Sequence, residues 1–176
     1  MEGSQVRERR EEERWRSAAE LPTEVFALLH KPDRAVNPIA IVATEDPDGT
    51  PRTAPFGSLR AVTPRLLRLA CNHYHNTYAN LCRHGRVSVA LLAPPNIAVG
   101  IRGRARVVKE RMDTSQHLAV LEIDVEEAKS DMMRRGIIES GIGFVPADDQ
   151  TGHYVSAVAV IEDMLTPADP RGSGNH

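Results

Sequence analysis

The residues most able to bind a ligand form a polar turn between an apolar run and a helix-forming stretch. They are Cys71, Asn72, His73, His75, Asn76 and Thr77. Asn76 predicts an N-cap for a helix over residues 77–84, and Gly85 predicts where that helix ends. Unpaired N–H groups and the helix dipole favour an anion at a helix N-terminus. The turn therefore predicts a site for a phosphate-bearing ligand, and an ordinary capped turn is the alternative.

Extended segments on both sides of this turn must hold it in place. Apolar, β-branched or alternating residues predict strands at 39–44, 66–71, 86–92, 97–108 and 118–125. A sixth extended segment, 50–62, contains Pro51 and Pro55, so we expect an edge strand, a bulge or a strand beside a ligand. The three strands at 39–44, 50–62 and 66–71 are expected to form a meander. Antiparallel strands around one inserted helix predict a mainly β, six-stranded antiparallel barrel with flanking helices.

Helices are predicted before and after this barrel. The charged residues 6–16 predict either an exposed helix or a solvated arm, and an apolar face predicts a short helix near residues 22–29. Residues 126–135 favour a helix, and residues 153–165 fit a helix, with a strand as the alternative. We therefore expect a helical arm at 1–35, a barrel core at 36–125, a helical segment of the same domain at 126–165 and a disordered tail at 166–176.

Composition excludes several classes of function. The 176 residues have a formal net charge of −2 and only 4% aromatic residues, which argues against a nucleic-acid-binding protein. No apolar run reaches the roughly 18 residues of a transmembrane helix, so no membrane partner is expected. Cys71 and Cys82 are the only cysteines and form no CxxC motif. We expect free thiols in a reducing cytoplasm, with Cys71 buried.

Six segments keep an order and spacing that are found in a known family. They are 39–44, 46–51, 58–60, 76–81, 86–89 and 102–105. Together they resemble the pyridoxamine 5′-phosphate oxidase-like FMN-binding split-barrel proteins, over about residues 36–125. The resemblance implies a homodimer of six-stranded split barrels, FMN at the subunit interface, and oxidoreductase activity on a small-molecule substrate.

The same resemblance implies which residues hold the flavin. Arg60 matches a basic strand residue that binds the flavin phosphate, and its planar fork suits a phosphate dianion. The turn and helix start that complete the phosphate site are matched by His75, Asn76 and Thr77. The residues that match the border of the flavin ring are Pro55, Ser58 and Leu59, and those near the ribityl chain and phosphate are Cys71 and Asn72.

Three departures argue against a true pyridoxamine 5′-phosphate oxidase. Ala98 lies near the position of a glutamine that faces the flavin, and Trp15, the only tryptophan, is far from the C-terminal segment that carries one in that enzyme. His75, Asn76 and Thr77 replace Ser, Arg and Lys, so the phosphate contacts are less charged. We expect an FMN-binding relative with no catalytic residue identified. The alternatives are a split barrel that uses deazaflavin or haem, and a cofactor-free binding or stress module.

Two further groups of residues have open interpretations. His73 and His75 could ligate a metal, but no other residues stand at zinc-ligand spacing, so no metal site is predicted. Arg102, Arg104 and Arg106 share one face of a predicted strand. That face could be a subunit contact, an anion site or a solvated surface.

Overall fold

The computed structural model describes residues 17–30, 38–132, 135–144 and 151–166. The charged segment at 6–16 and the tail after residue 166 lie outside these ranges. The described helices are α1 Thr23–His30, α2 Asn76–His84 and α3 Thr151–Leu165. The described strands are β1 Ser17–Ala18, β2 Ala40–Glu45, β3 Pro51–Phe56, β4 Arg60–Thr63, β5 Leu66–Asn72, β6 Arg86–Ala93, β7 Ile97–Lys109 and β8 Leu118–Ser130.

The strands form one antiparallel sheet. Its spatial order is β3-β2-β6-β7-β8-β5-β4, and β1 pairs with β8. All six predicted strand regions are therefore found, which confirms the mainly β prediction. The described residues contain eight strands because the predicted segment 50–62 divides into β3 and β4, and because the short β1 was not predicted.

The predicted meander of three strands is wrong. β3 pairs with β2 and β4 pairs with β5, but β3 and β4 stand at opposite ends of the strand order. Residues 57–59 leave the extended conformation and join β3 to β4 directly, so the sheet must be rolled to bring its first and last strands close together. Pro51 and Pro55 lie in the end strand β3, as their missing N–H donors predict.

The predicted helix at 126–135 is also wrong. Residues 126–130 continue β8, and Lys129 and Ala128 pair with Gly100 and Ile101 of the long strand β7. Ala128 is buried in this pairing. Local composition favours a helix here, but hydrogen bonding to β7 and burial against the core outweigh a propensity of a few tenths of a kcal/mol per residue.

The core lies inside the barrel and follows from strand alternation. In β6 the residues Val87, Val89, Leu91 and Ala93 are buried, and the residues between them are exposed. Other fully buried side chains are Leu67, Leu69, Ile101, Leu121 and Ile123. Helix α1 covers part of this core with Val25 and Leu29. Each such side chain contributes about 1.5–3 kcal/mol when it is removed from water.

Helix α3 confirms the helix that the apolar spacing at 153–165 predicted. Met164 packs in a second buried cluster with Ala70, Met112 and Val120. Arg68 of β5 donates from Nη1 to the carbonyl oxygens of Met164 (3.2 Å) and Leu165 (3.4 Å). A cation at the unpaired carbonyl groups of a helix end is favourable.

No helix in the described ranges is both long and apolar enough to cross a membrane.

Candidate functional site

The polar turn after β5 leads directly into α2, as predicted, but its cap is His75 and not Asn76. His75 has an extended backbone (φ −84°, ψ 135°) and its Nδ1 accepts the Thr77 N–H at 3.2 Å. The Thr77 hydroxyl donates to the same nitrogen at 3.0 Å. An imidazole nitrogen has replaced the amide oxygen that we expected, and the helix begins one residue earlier. Gly85 ends the helix at φ 69°, as predicted.

A buried asparagine fixes α2 against β2. The Asn80 Nδ2 donates to the Thr44 hydroxyl at 3.1 Å and to Asp46 Oδ1 at 2.8 Å. Hydrogen bonds from Arg52 and Asn80 hold the pKa of Asp46 down to about 2, so the carboxylate stays ionised. This contact fixes the position of the helix relative to the sheet, and no local sequence signal predicts it because its partners are 34 and 36 residues apart.

The start of α2 lies beside the ends of β3 and β5. The rings of Phe56 and His75 make an edge contact with centroids 5.6 Å apart. The Ser58 hydroxyl donates to the Ala70 carbonyl oxygen at 3.0 Å. These two contacts join the three segments that carry most of the predicted site residues. The eight residues on these segments are Pro55, Ser58, Leu59, Cys71, Asn72, His75, Asn76 and Thr77.

Arg60 begins β4, next to the segment that carries Ser58. Its side chain is buried, and Nη1 donates to the carbonyl oxygens of Gly57 (3.0 Å) and Leu59 (2.5 Å). The guanidinium therefore stabilises the irregular segment between β3 and β4. A buried cation at this point also makes the region favourable for an anion.

The predicted site residues divide into exposed and buried groups. Asn72, His75 and Asn76 are exposed around the first turn of α2, while Cys71 and Thr77 are buried beneath them. The exposed side chains can donate to a ligand oxygen, and the helix dipole adds a partial positive charge. These donors fit a phosphate group held mainly by neutral hydrogen bonds.

A family model described as pyridoxamine 5′-phosphate oxidase matches residues 24–135. The chain belongs to this family. The match covers the whole candidate site and most of the sheet, and it confirms the resemblance inferred from the six segments. No curated protein matches the chain at a significant level.

Solved structures show the fold of this pyridoxamine 5′-phosphate oxidase family member. A candidate pyridoxamine 5′-phosphate oxidase from Lactobacillus delbrueckii has a TM-score of 0.52 at 23% identity, covering 64% of this chain and 96% of its own. This similarity confirms the split-barrel fold. HupZ of Group A Streptococcus (20% identity, 70% and 100% coverage) and an F420 reductase (15%, 62% and 98%) both have TM-scores of 0.48.

The arginine stripe of this family member is a paired surface. Arg102 and Arg104 contact Glu127 (3.2 Å) and Glu126 (3.1 Å), while Arg106 contacts Glu122 (2.6 Å) and also Asp124. All three guanidinium groups are half or more exposed. This pairing balances the charges of the stripe within one chain and gives no support to an anion site, whereas the subunit-contact and solvated-surface interpretations remain predictions. Exposed pairs of this kind contribute at most about 1 kcal/mol each.

The histidines of the turn have separate partners. His73 Nε2 donates to the Glu110 carbonyl oxygen at 2.6 Å, whereas His75 caps α2. Within the described ranges, no three His, Cys, Asp or Glu side chains could hold a metal ion. No local sequence signal places Glu110 near this turn, because the two residues are 37 positions apart and the pairing of both β5 and β7 with β8 brings them together.

Burial makes Cys71 an unreactive thiol. Its side chain is buried, and removal from water raises the pKa of the thiol to about 12. Cys82, by contrast, is exposed on α2. The structure thus confirms the prediction that Cys71 is a buried free thiol.

This difference predicts selective labelling. At pH 8 a disulfide reagent such as DTNB is expected to react with one thiol per native chain, and with two after denaturation, because Cys71 forms almost no thiolate below its pKa. Cys82→Ser should remove the native signal and Cys71→Ser should leave it. Two rapidly reacting thiols in the native chain would contradict the burial of Cys71.

Proposed function

We propose that this chain is an FMN-binding flavoprotein that oxidises or reduces a small molecule. The observation that carries the proposal is the convergence of the β3 end, the β5 end and the α2 N-terminus through Phe56, Ser58 and His75. Membership of the pyridoxamine 5′-phosphate oxidase family supports a phosphorylated, planar ligand at this place.

In this proposal the flavin phosphate lies at the first turn of α2. His75, Asn76 and the helix N-terminus donate hydrogen bonds to its oxygens, and the Arg60 guanidinium donates a charged hydrogen bond to the same group. Pro55, Ser58 and Leu59 border the ring, and Cys71 and Asn72 lie near the ribityl chain. The bound flavin supplies the redox chemistry, and the chain binds and orients it.

We further propose that the active form is a cytoplasmic homodimer with FMN at the interface between the subunits. In this proposal the second copy covers one face of the flavin ring and leaves a pocket for the small-molecule substrate at the interface between the subunits. Analytical ultracentrifugation with and without FMN tests this assembly.

An absorbance spectrum of the purified protein, before and after addition of FMN, tests the cofactor. Bound flavin absorbs at about 450 nm, and mass spectrometry of the released compound distinguishes FMN from deazaflavin. A Soret band at about 400 nm would replace the proposal with a haem protein. A colourless protein that does not bind FMN would overturn it in favour of a cofactor-free module.

A further inference from the structure

One buried carboxylate of helix α3 contacts the barrel through three hydrogen bonds. The Asp163 side chain, only 8% exposed, accepts hydrogen bonds from Lys109 Nζ (3.0 Å), Thr114 N (2.8 Å) and Thr114 Oγ1 (2.8 Å). Lys109 ends β7, and Thr114 belongs to the loop of residues 110–117, which we call the β7–β8 loop. Asp163 therefore joins α3 to the last residue of β7 and to the middle of this loop.

The same carboxylate is charged under ordinary conditions. Burial alone raises the pKa of Asp163, but the hydrogen bonds from Thr114 and Lys109 outweigh burial and hold the pKa below its usual value. Lys109 also contacts Asp113 at 2.8 Å, so the ammonium group is shared between two carboxylates. A charged acceptor makes these bonds stronger than neutral ones.

Buried apolar packing also holds the β7–β8 loop against α3. Met112 of the loop is fully buried in the cluster that contains Met164, the residue after Asp163. The Met112 N–H also donates to the Leu118 carbonyl oxygen at 2.9 Å, which closes the loop. The loop thus has one polar and one apolar contact with α3.

The opposite side of this loop holds the turn that precedes α2. The His73 N–H donates to the His117 carbonyl oxygen at 2.9 Å, and His73 Nε2 donates to the Glu110 carbonyl oxygen at 2.6 Å. The rings of Tyr74 and His117 also lie 5.8 Å apart. Both ends of the β7–β8 loop are therefore bonded to the turn that leads to His75, the cap of α2.

We infer that Asp163 is a positioning residue for the cofactor site, which it supports through the β7–β8 loop and His73. This inference rests on the proposed function, because it assigns a role to the turn as part of a phosphate site. When Asp163 is replaced, the loop loses its polar contact with α3, and His73 and the α2 N-terminus lose a fixed support. The geometry of the phosphate site is then less well defined, and the affinity for FMN falls.

The variants are Asp163→Ala, Asp163→Asn and the control Asp113→Ala. Asparagine keeps an oxygen that can accept the Thr114 N–H but loses the ion pair with Lys109, so it should restore part of the function. Asp113 lies in the same loop and contacts the same lysine, but its side chain is 87% exposed. The control therefore removes an equal charge without removing the contact to α3.

Two measurements test the inference. Hydrogen exchange on the protein without added FMN is expected to show the His73 amide exchanging about tenfold faster in Asp163→Ala than in Asp113→Ala, with the β6 amides unchanged. Titration with FMN is expected to show an affinity about tenfold weaker in Asp163→Ala than in the control, with Asp163→Asn between them.

Equal protection of His73 in Asp163→Ala and Asp113→Ala would overturn the inference, as would an equal acceleration of His73 and the β6 amides, which would indicate global destabilisation. An unchanged FMN affinity despite faster His73 exchange would also overturn it. If the unmodified protein binds no FMN, the proposed function fails, and the positioning role for a flavin site fails with it. The exchange result then shows separately whether α3 supports the turn.

Discussion

Arg60→Ala is expected to weaken FMN binding by at least about tenfold, because a hydrogen bond from a charged group contributes roughly 1.5–3 kcal/mol. The substitution should also lower the free energy of unfolding by about 2–3 kcal/mol, because the carbonyl oxygens of Gly57 and Leu59 lose a buried donor. Flavin fluorescence titration and urea unfolding measure the two effects.

Arg104→Ala is the matched control, because Arg104 is exposed and pairs with Glu126 across the sheet surface. Its removal should change the FMN affinity less than twofold and the free energy of unfolding by at most about 1 kcal/mol. Arg60→Lys should keep the charge and lose the fork, giving an intermediate affinity. If Arg60→Ala destabilises the fold while its folded fraction binds FMN normally, Arg60 has only a structural role and its assignment to the phosphate is wrong.

Gly103→Ala is expected to destabilise the barrel by about 3 kcal/mol or more. A Cβ at Gly103 would overlap the Asp124 carbonyl oxygen and lie 2.9 Å from Ile123 Cγ2. Both atoms belong to the paired strand β8, at the point where the β7–β8 register shifts, so neither can move without disturbing the sheet. Overpacking of this kind costs 1–3 kcal/mol, and more where backbone is involved.

Gly100→Ala, three residues earlier in β7, is the control for this prediction. The nearest atom to its Cβ would be Asp131 Oδ2 at 3.0 Å, the end of a flexible side chain that can move aside. Urea unfolding should place its midpoint close to that of the unmodified protein, and the midpoint of Gly103→Ala well below it. Equal midpoints for the two variants would show that β8 adjusts to the added methyl group.

The sequence by itself determined the features that depend on neighbouring residues. Alternation in 97–108 predicted which face of β7 is exposed, Gly85 predicted the end of α2, and apolar spacing predicted α3. The order of six short segments determined the family, since those segments contain the turns and strand starts that the fold requires. The site residues carried over from the resemblance remain predictions.

Only the tertiary structure decided the features that depend on distant partners. Residues 126–130 are strand because β7 pairs with them, and the arginine stripe is neutralised because β8 places acidic residues beside it. The contacts that connect Asp163 through the β7–β8 loop to His73 join residues 37 to 49 positions apart in the sequence. Helix propensity and alternation describe each segment alone, whereas pairing energy depends on which segments meet, and only the folded chain establishes those contacts.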